Sequence, residues 1–130
     1  MSDVPDYRKL VAEAVGTFAL IFMGAGSIIG RSTHTGDEIA VAMTEPVDYI
    51  AVGPVSDTPT KPGRAGVGLD LVRLAAKECT LPFFVTGGMD ATTIRAAKEA
   101  GASRFVVVRA ITEADDPAAA TAAIRRAIDG

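Results

Sequence analysis

At 130 residues the chain has room for about one domain, and it is too short for a complete eight-stranded α/β barrel, which needs at least about 200 residues. Its composition, 48% hydrophobic and 22% charged, excludes a disordered or low-complexity chain. The net charge of -3 argues against general attraction to nucleic acid or anionic lipid, so we expect no nucleic-acid partner. A single cysteine, Cys79, and a single histidine, His34, exclude an internal disulfide and a Cys/His zinc cluster and are typical of a cytoplasmic protein.

The first predicted element is an apolar segment. Residues 14–30 carry no charge, and residues 10–12 extend the apolar run beyond a single Glu13. About twenty apolar residues in a helix would span the ~30 Å hydrocarbon core of a bilayer. Three interpretations stay open: a buried element of a soluble core, a secretory signal peptide, and a membrane helix over residues 10–29. The pattern favours the membrane helix, which would make the protein membrane-anchored instead of cytoplasmic.

Residues 8–27 also resemble the first membrane helix of the aquaporin (MIP) family. The shared features are Ala12-Glu13, Gly16-Thr17 and the small residues at 24–27. Small residues of this kind allow helices to pack closely in lipid. Neither of that family's Asn-Pro-Ala pore signatures occurs in the chain, so a channel is excluded for this chain alone. The resemblance implies two units, an apolar helix over residues 1–27 and a second unit over residues 28–130.

After Arg31, short apolar runs alternate with helical stretches, a pattern typical of βαβ units and a parallel sheet. The pattern predicts one strand ending at residues 28–30 and others at 49–52, 82–86 and 105–108. It predicts helices at 37–43, 69–77, 92–100 and 117–128. Four βα units make half of an eightfold barrel. The predicted fold class is therefore α/β, half of a TIM barrel preceded by one apolar helix.

Polar and glycine residues follow the predicted strands, at the edge where barrels of this kind bind ligands. Gly87-Gly88 follows the third strand, and Arg109 follows the fourth. Glycines let backbone N–H groups approach a phosphate closely, and an arginine supplies a forked cation. The combination of Gly87-Gly88 with Arg109 indicates a phosphate site, although a Gly-Gly after a strand is also typical of an ordinary turn.

The loop after the second predicted strand reads TPTKPGR at residues 58–64. Two prolines restrict the backbone, two hydroxyls can bind phosphate, and Lys61 and Arg64 supply positive charge. The loop therefore suits an anion, with an ordinary exposed polar loop as the alternative. A third polar cluster, Ser32-Thr33-His34, follows the first strand, and we interpret His34 as a residue that fixes a loop by hydrogen bonds.

The segments IIGRSTH, DYIAVGP, TPTKPGR, FFVTGGM and VVVRAITEADDP, in this order, are similar to the carboxyl-terminal half of thiamine-phosphate synthase, over residues 28–130. That family joins a thiazole phosphate to a pyrimidine diphosphate, releasing pyrophosphate and forming thiamine phosphate. Its mechanism is dissociative: Mg²⁺ and cations draw off pyrophosphate, and the thiazole nitrogen captures the pyrimidine cation. The resemblance thus implies a transferase of thiamine biosynthesis.

The resemblance also implies a set of substrate-binding residues: Ser32, Thr58, Pro59, Thr60, Lys61, Gly88, Val108 and Arg109. Of these, Ser32 and Lys61 would contact the pyrimidine diphosphate or the pyrophosphate. The others would surround the thiazole phosphate, with the backbone of Val108 and Arg109 closing on its phosphate. Lys61 is the expected catalytic residue, because an ammonium group stabilises the charge that develops on leaving pyrophosphate.

The sequence departs from the family in its magnesium motifs. The two aspartates that hold Mg²⁺ in the family belong to motifs that do not occur here. Asp57 and Asp90 lie near the right face, but no motif supports them as ligands, and Asp90 equally suits a helix cap. We predict no metal site in these residues. The resulting hypothesis is a truncated synthase-like chain that binds a phosphate weakly and is inactive alone.

Three other expectations stay open. The open edges of a half barrel could be covered by a second copy, giving a homodimer that closes the barrel, or by the apolar segment. The chain could instead be a fusion or truncation product that folds poorly, or a membrane-tethered phosphate-binding remnant with a channel-like helix. Within the enzymes, a thiazole tautomerase-like protein is the near alternative, although the loop at 58–64 fits the synthase better.

Overall fold

The computed structural model describes residues 12–14, 17–21, 28–57 and 65–130. In these ranges the strands are β1 (Ala12–Ala14), β2 (Thr17–Ile21), β3 (Ile29–Thr33), β4 (Tyr49–Val52) and β5 (Phe83–Val85). The helices are α1 (Gly36–Ala42), α2 (Gly68–Glu78), α3 (Ala91–Glu99), α4 (Arg109–Thr112) and α5 (Pro117–Asp129).

The strands form one sheet in the order β1-β2-β3-β4-β5. β3, β4 and β5 are parallel, with Ser32 opposite Ala51 and Val52 opposite Val85. β1 and β2 are antiparallel to each other, and β2 is antiparallel to β3. The predicted α/β fold with a parallel sheet is confirmed. Helices connect the parallel strands, as this strand direction requires.

The core lies between the parallel strands and the helices. Alternate strand residues Ile50, Val52 and Val85 are fully buried, because successive side chains of a strand point to opposite faces. Ile94 of α3 and Val72 of α2 are buried in the same cluster. The predicted helices agree with the observed ones to within a residue or so at each end, since their apolar residues recur at helical spacing.

The apolar helix predicted over residues 1–27 is wrong for the part that the structure describes. Residues 12–14 and 17–21 are antiparallel strands, and β2 pairs along the edge of β3. The remaining residues of that prediction lie outside the described residues. A continuous apolar run does not distinguish a buried strand from a helix, and the edge of β3 provides a pairing partner that periodicity cannot reveal. Among the described helices, none is long and apolar enough to cross a membrane.

The fourth strand predicted at 105–108 is reduced to one bridge, in which Phe105 pairs with Val85 in parallel. The hydrogen bonds are Val85 N–H to Arg104 O at 2.9 Å and Val106 N–H to Val85 O at 2.8 Å. β5 ends at Val85, and Gly87 turns away with φ +92°. Because β5 offers no further residues to pair with, the chain leaves the sheet and enters α4.

Candidate functional site

The loops that follow β4 and β5 are hydrogen-bonded to each other. The N–H of Val55 donates to Thr86 O at 2.9 Å, and the N–H of Ser56 donates to Gly87 O at 3.4 Å. Parallel strands bring their carboxyl ends to one edge, and these bonds continue the pairing past the strand ends. The chain entering the segment 58–64 therefore lies beside Gly87 and Gly88.

Glycine is required at both positions of this pair. Gly87 has φ +92° and Gly88 has φ +68°. These values favour glycine, because a residue with a Cβ is strained at positive φ. A Cβ on Gly87 would lie 2.4 Å from Pro54 Cα, and a Cβ on Gly88 would lie 2.9 Å from Ser56 Cβ. The backbone of the two loops consequently approaches more closely than side chains would permit.

Three hydrogen bonds join the described residues that precede and follow the segment 58–64. The N–H groups of Val67 and Gly68 donate to Pro54 O at 2.7 Å and to Val55 O at 3.0 Å. The N–H of Gly66 donates to the Asp57 carboxylate at 2.5 Å. The residues on either side of the TPTKPGR segment are thus fixed next to the β5 loop.

These loops surround a cleft of about 420 Å³ at the carboxyl end of β5. The lining residues come from the loops after β4 and β5, the segment after Phe105, and α4 with its C-cap: Asp57, Gly87, Gly88, Met89, Asp90, Val106, Val108, Arg109, Ala110 and Glu113. Three of the predicted substrate-binding residues, Gly88, Val108 and Arg109, therefore line the same cleft. The cleft is large enough for a small organic phosphate.

Arg109 provides the positive charge among the described lining residues, and it is paired. Its Nη2 atom lies 2.9 Å from both carboxylate oxygens of Glu113. Glu113 follows α4 as its C-cap residue, four positions after Arg109. Glu113 is not among the residues predicted for the site, although opposite charges four residues apart predict this pair wherever a helix forms.

Asp90 caps the N-terminus of α3. Its carboxylate accepts hydrogen bonds from the N–H groups of Thr92 and Thr93, both at 2.8 Å, and the Thr93 hydroxyl accepts from the Asp90 N–H at 2.7 Å. The hydrogen bond from the Thr93 backbone lowers the pKa of Asp90 below its ordinary value of 3.8. The cap interpretation of Asp90 is confirmed.

The structure separates the remaining predicted residues from this cleft or does not describe them. Ser32 lies in β3 opposite Ala51 and is not among the cleft residues. Thr58, Pro59, Thr60 and Lys61 lie outside the described residues.

His34 agrees with its predicted loop-fixing role. Its N–H donates to Glu38 Oε2 at 2.6 Å, and its ring Nδ1 lies 3.0 Å from the same oxygen.

The described carboxylates of the cleft do not cluster as a set of magnesium ligands. Mg²⁺ requires several oxygen ligands in octahedral geometry. Asp57 and Asp90 are engaged by backbone N–H groups, and Glu113 is engaged by Arg109. Among the described residues there is no group of three or more His, Cys, Asp or Glu that could hold a metal ion.

Comparison with known proteins places these features in a family. Residues 18–111 match the TMP-TENI family model, described as thiamine monophosphate synthase. The chain is 52% identical over 104 residues to the thiamine-phosphate synthase of Mycobacterium bovis, covering 78% of this chain and 47% of the relative. It is 44% identical over 132 residues to that of Arthrobacter sp. (strain FB24), covering 83% and 56%.

Two solved structures superpose on the chain. The thiamine phosphate pyrophosphorylase from Pyrococcus furiosus superposes with a TM-score of 0.68 at 25% identity, over 77% of this chain and 48% of that one. A 3-hexulose-6-phosphate synthase superposes with a TM-score of 0.56 at 30% identity, over 75% and 47%. The chain spans about half the length of the curated relatives it matches. No comparison supports the resemblance of residues 8–27 to an aquaporin helix. The chain belongs to the thiamine monophosphate synthase family.

Proposed function

We propose that the cleft binds the phosphate group of thiazole phosphate, one of the two substrates joined in the synthesis of thiamine phosphate. The observation that carries the proposal is that Gly88, Val108 and Arg109 line one cleft at the carboxyl end of β5. Family membership supplies the class of substrate. We also propose that the chain forms half of a barrel, because the solved relative from Pyrococcus furiosus aligns with it over only 48% of the relative's own length.

Backbone N–H groups are the proposed phosphate ligands. The glycine pair at 87–88 exposes its backbone because neither residue has a side chain, and the φ values turn the chain away from the sheet. Within the part of the chain that the structure describes, the N–H groups of Gly87, Gly88 and Met89 make no hydrogen bond. A phosphate oxygen could accept hydrogen bonds from these N–H groups at little cost in conformational entropy, because the backbone is already held in place.

The proposed second substrate is a pyrimidine diphosphate, for which Ser32 and Lys61 are the proposed contacts. As the bond between the pyrimidine methylene carbon and the diphosphate oxygen breaks, negative charge accumulates on pyrophosphate. The Lys61 ammonium would stabilise that charge, and the thiazole nitrogen would then donate its electron pair to the carbon. Among the described residues no three His, Cys, Asp or Glu side chains group together as metal ligands, so we assign the carboxylates of the cleft no part in this step.

We expect the 130-residue chain to bind thiazole phosphate without forming thiamine phosphate. The reason is that the aspartate motifs which hold Mg²⁺ in the family do not occur in these residues. Calorimetric titration with thiazole phosphate should show binding. An assay with both substrates and Mg²⁺ should show no thiamine phosphate, and turnover at rates typical of the family would contradict the expectation.

We also propose that two copies pair through the edge of the sheet next to Phe105, because β2 already covers the edge of β3. Val106 and Val108, which also line the cleft, are 42% and 57% exposed, whereas Phe105 and Val107, which alternate with them along the chain, pack against the core. Exposed apolar side chains beside a strand edge favour association. Size-exclusion chromatography with light scattering tests this: a dimer supports the pairing, and a monomer at micromolar concentration contradicts it.

A further inference from the structure

The ion pair between Arg109 and Glu113 lies in the cleft itself. Both residues line it, and both side chains are partly open to solvent, at 43% for Arg109 and 58% for Glu113. The other charged groups of the described lining are the carboxylates of Asp57 and Asp90. The described cation of the cleft is therefore held by an anion that belongs to the protein.

Glu113 differs from the other two carboxylates in what its displacement would disturb. Asp57 and Asp90 accept hydrogen bonds from backbone N–H groups, so moving either would release a loop or a helix end. Glu113 is bonded through its side chain to Arg109 alone among the described residues. Because an exposed ion pair contributes little to folding stability, Glu113 can leave Arg109 without disturbing the fold.

A phosphate presents the same acceptor geometry to a guanidinium as a carboxylate does. We propose that Glu113 competes with the ligand's phosphate for Arg109, and so acts as a specificity-determining residue of the cleft. In the ligand-free protein Glu113 occupies the guanidinium. An entering phosphate takes its place, and Glu113 turns towards solvent.

This competition rests on the proposed function and adds selectivity to it. A ligand with a singly charged carboxylate would only replace the equivalent carboxylate of Glu113, which is already tethered four residues from Arg109. A dianionic phosphate carries more charge and has further oxygens for the backbone N–H groups near Gly88. A phosphate can therefore displace Glu113 from Arg109, whereas a simple carboxylate cannot.

The test compares Glu113→Gln with the wild-type chain, using inorganic phosphate and acetate as probes at pH 8 and low salt. Glu113→Gln should bind phosphate more tightly by up to about fivefold, the upper end of the range for loss of an exposed charge interaction. It should also bind acetate measurably where the wild-type chain does not. Glu78→Gln is the matched control, because Glu78 is an exposed carboxylate at the end of α2, away from the cleft, and its affinities should equal the wild type's.

A double-mutant cycle separates competition from a general charge effect. In the Arg109→Gln background, Glu113→Gln should no longer tighten phosphate binding, because the shared guanidinium is gone. A gain that persists without Arg109, or no gain in Glu113→Gln, overturns the competition. Phosphate binding to the wild-type chain with no such gain leaves the proposed function standing, whereas no phosphate binding to either protein overturns both. Unchanged far-UV circular dichroism shows that each variant is folded.

Discussion

The carboxylate of Asp57 accepts a hydrogen bond from the backbone N–H of Gly66 at 2.5 Å and so joins the two sides of the segment 58–64. A Cβ at Gly66 would lie 2.6 Å from Val55 O, so the two backbones meet closely at this point. The contact fixes where the TPTKPGR segment leaves and rejoins the described fold. Asp57 also lines the cleft, which places this connection at the proposed phosphate site.

Replacing Asp57 should release this connection. Asp57→Ala is expected to speed hydrogen exchange at the Gly66 amide, because the amide loses its acceptor. Asp57→Asn should preserve much of the protection, since an asparagine oxygen can still accept. Amide exchange measured by NMR checks this, with the Gly68 amide as internal control because it donates to Val55 O instead. Equal exchange at Gly66 in all three proteins would show that the contact does not persist in solution.

Gly88→Ala and Gly68→Ala form a matched pair, because both glycines have φ +68°. A Cβ at Gly68 meets nothing within 4 Å, whereas one at Gly88 lies 2.9 Å from Ser56 Cβ. Gly68→Ala should cost roughly 1–2 kcal/mol of unfolding free energy, from the left-handed backbone alone. Gly88→Ala should cost more than this and should also weaken phosphate binding. Urea denaturation and phosphate titration of both variants measure the two effects.

Ser56→Gly provides the check on this interpretation. In the Gly88→Ala background it removes the Cβ that the new methyl group would meet, so it should recover part of the lost stability relative to Gly88→Ala. If the two glycine substitutions are equal in both stability and phosphate affinity, close approach at Gly88 has no role.

Lys61→Ala should weaken the binding of pyrophosphate by about 1.5–3 kcal/mol, the range for a hydrogen bond to a charged group. Isothermal titration calorimetry with pyrophosphate measures the change. Lys77→Ala is the matched control, because Lys77 is exposed in the last turn of α2 and its removal lowers the net charge equally. A similar loss in both variants would mean that overall charge, not a specific contact, governs binding.

Asp90→Ala should lower the unfolding free energy by about 1 kcal/mol at pH 7, because α3 loses its N-cap. The pKa of Asp90 is lower in the folded protein than its ordinary value of 3.8. Its charge therefore contributes stability above about pH 3.8 that disappears as the pH falls through the folded value. Asp90→Asn keeps a capping oxygen, so it should lose less unfolding free energy at pH 7 than Asp90→Ala.

The pH dependence can be measured by thermal unfolding between pH 2.5 and 7. The difference between wild type and Asp90→Asn should shrink towards acid pH. Asp115→Asn, at an exposed carboxylate outside the cleft, is the control. A constant difference for Asp90→Asn across this range would rule out a contribution from the charge of its carboxylate.

Local sequence was sufficient for the βα alternation and for several contacts. The helices follow from apolar residues at helical spacing, and β4 was predicted at its observed bounds, Tyr49–Val52. Asp90 and Thr93 form a capping box within four residues, and His34 binds Glu38 four residues away. Such interactions depend on neighbours along the chain, so the sequence alone determines them. The motifs carried the family assignment for the same reason, since each is a short continuous segment.

Only the tertiary structure decided the features that depend on distant partners. β1 and β2 are strands because β3 offers an edge to pair with, and residues 105–108 leave the sheet because β5 is short. The contact between Asp57 and Gly66 and the meeting of Gly88 with Ser56 likewise join residues that periodicity treats as unrelated. Strand pairing and loop contacts are set by the packing of the whole sheet, whereas helices and caps are set within a few residues.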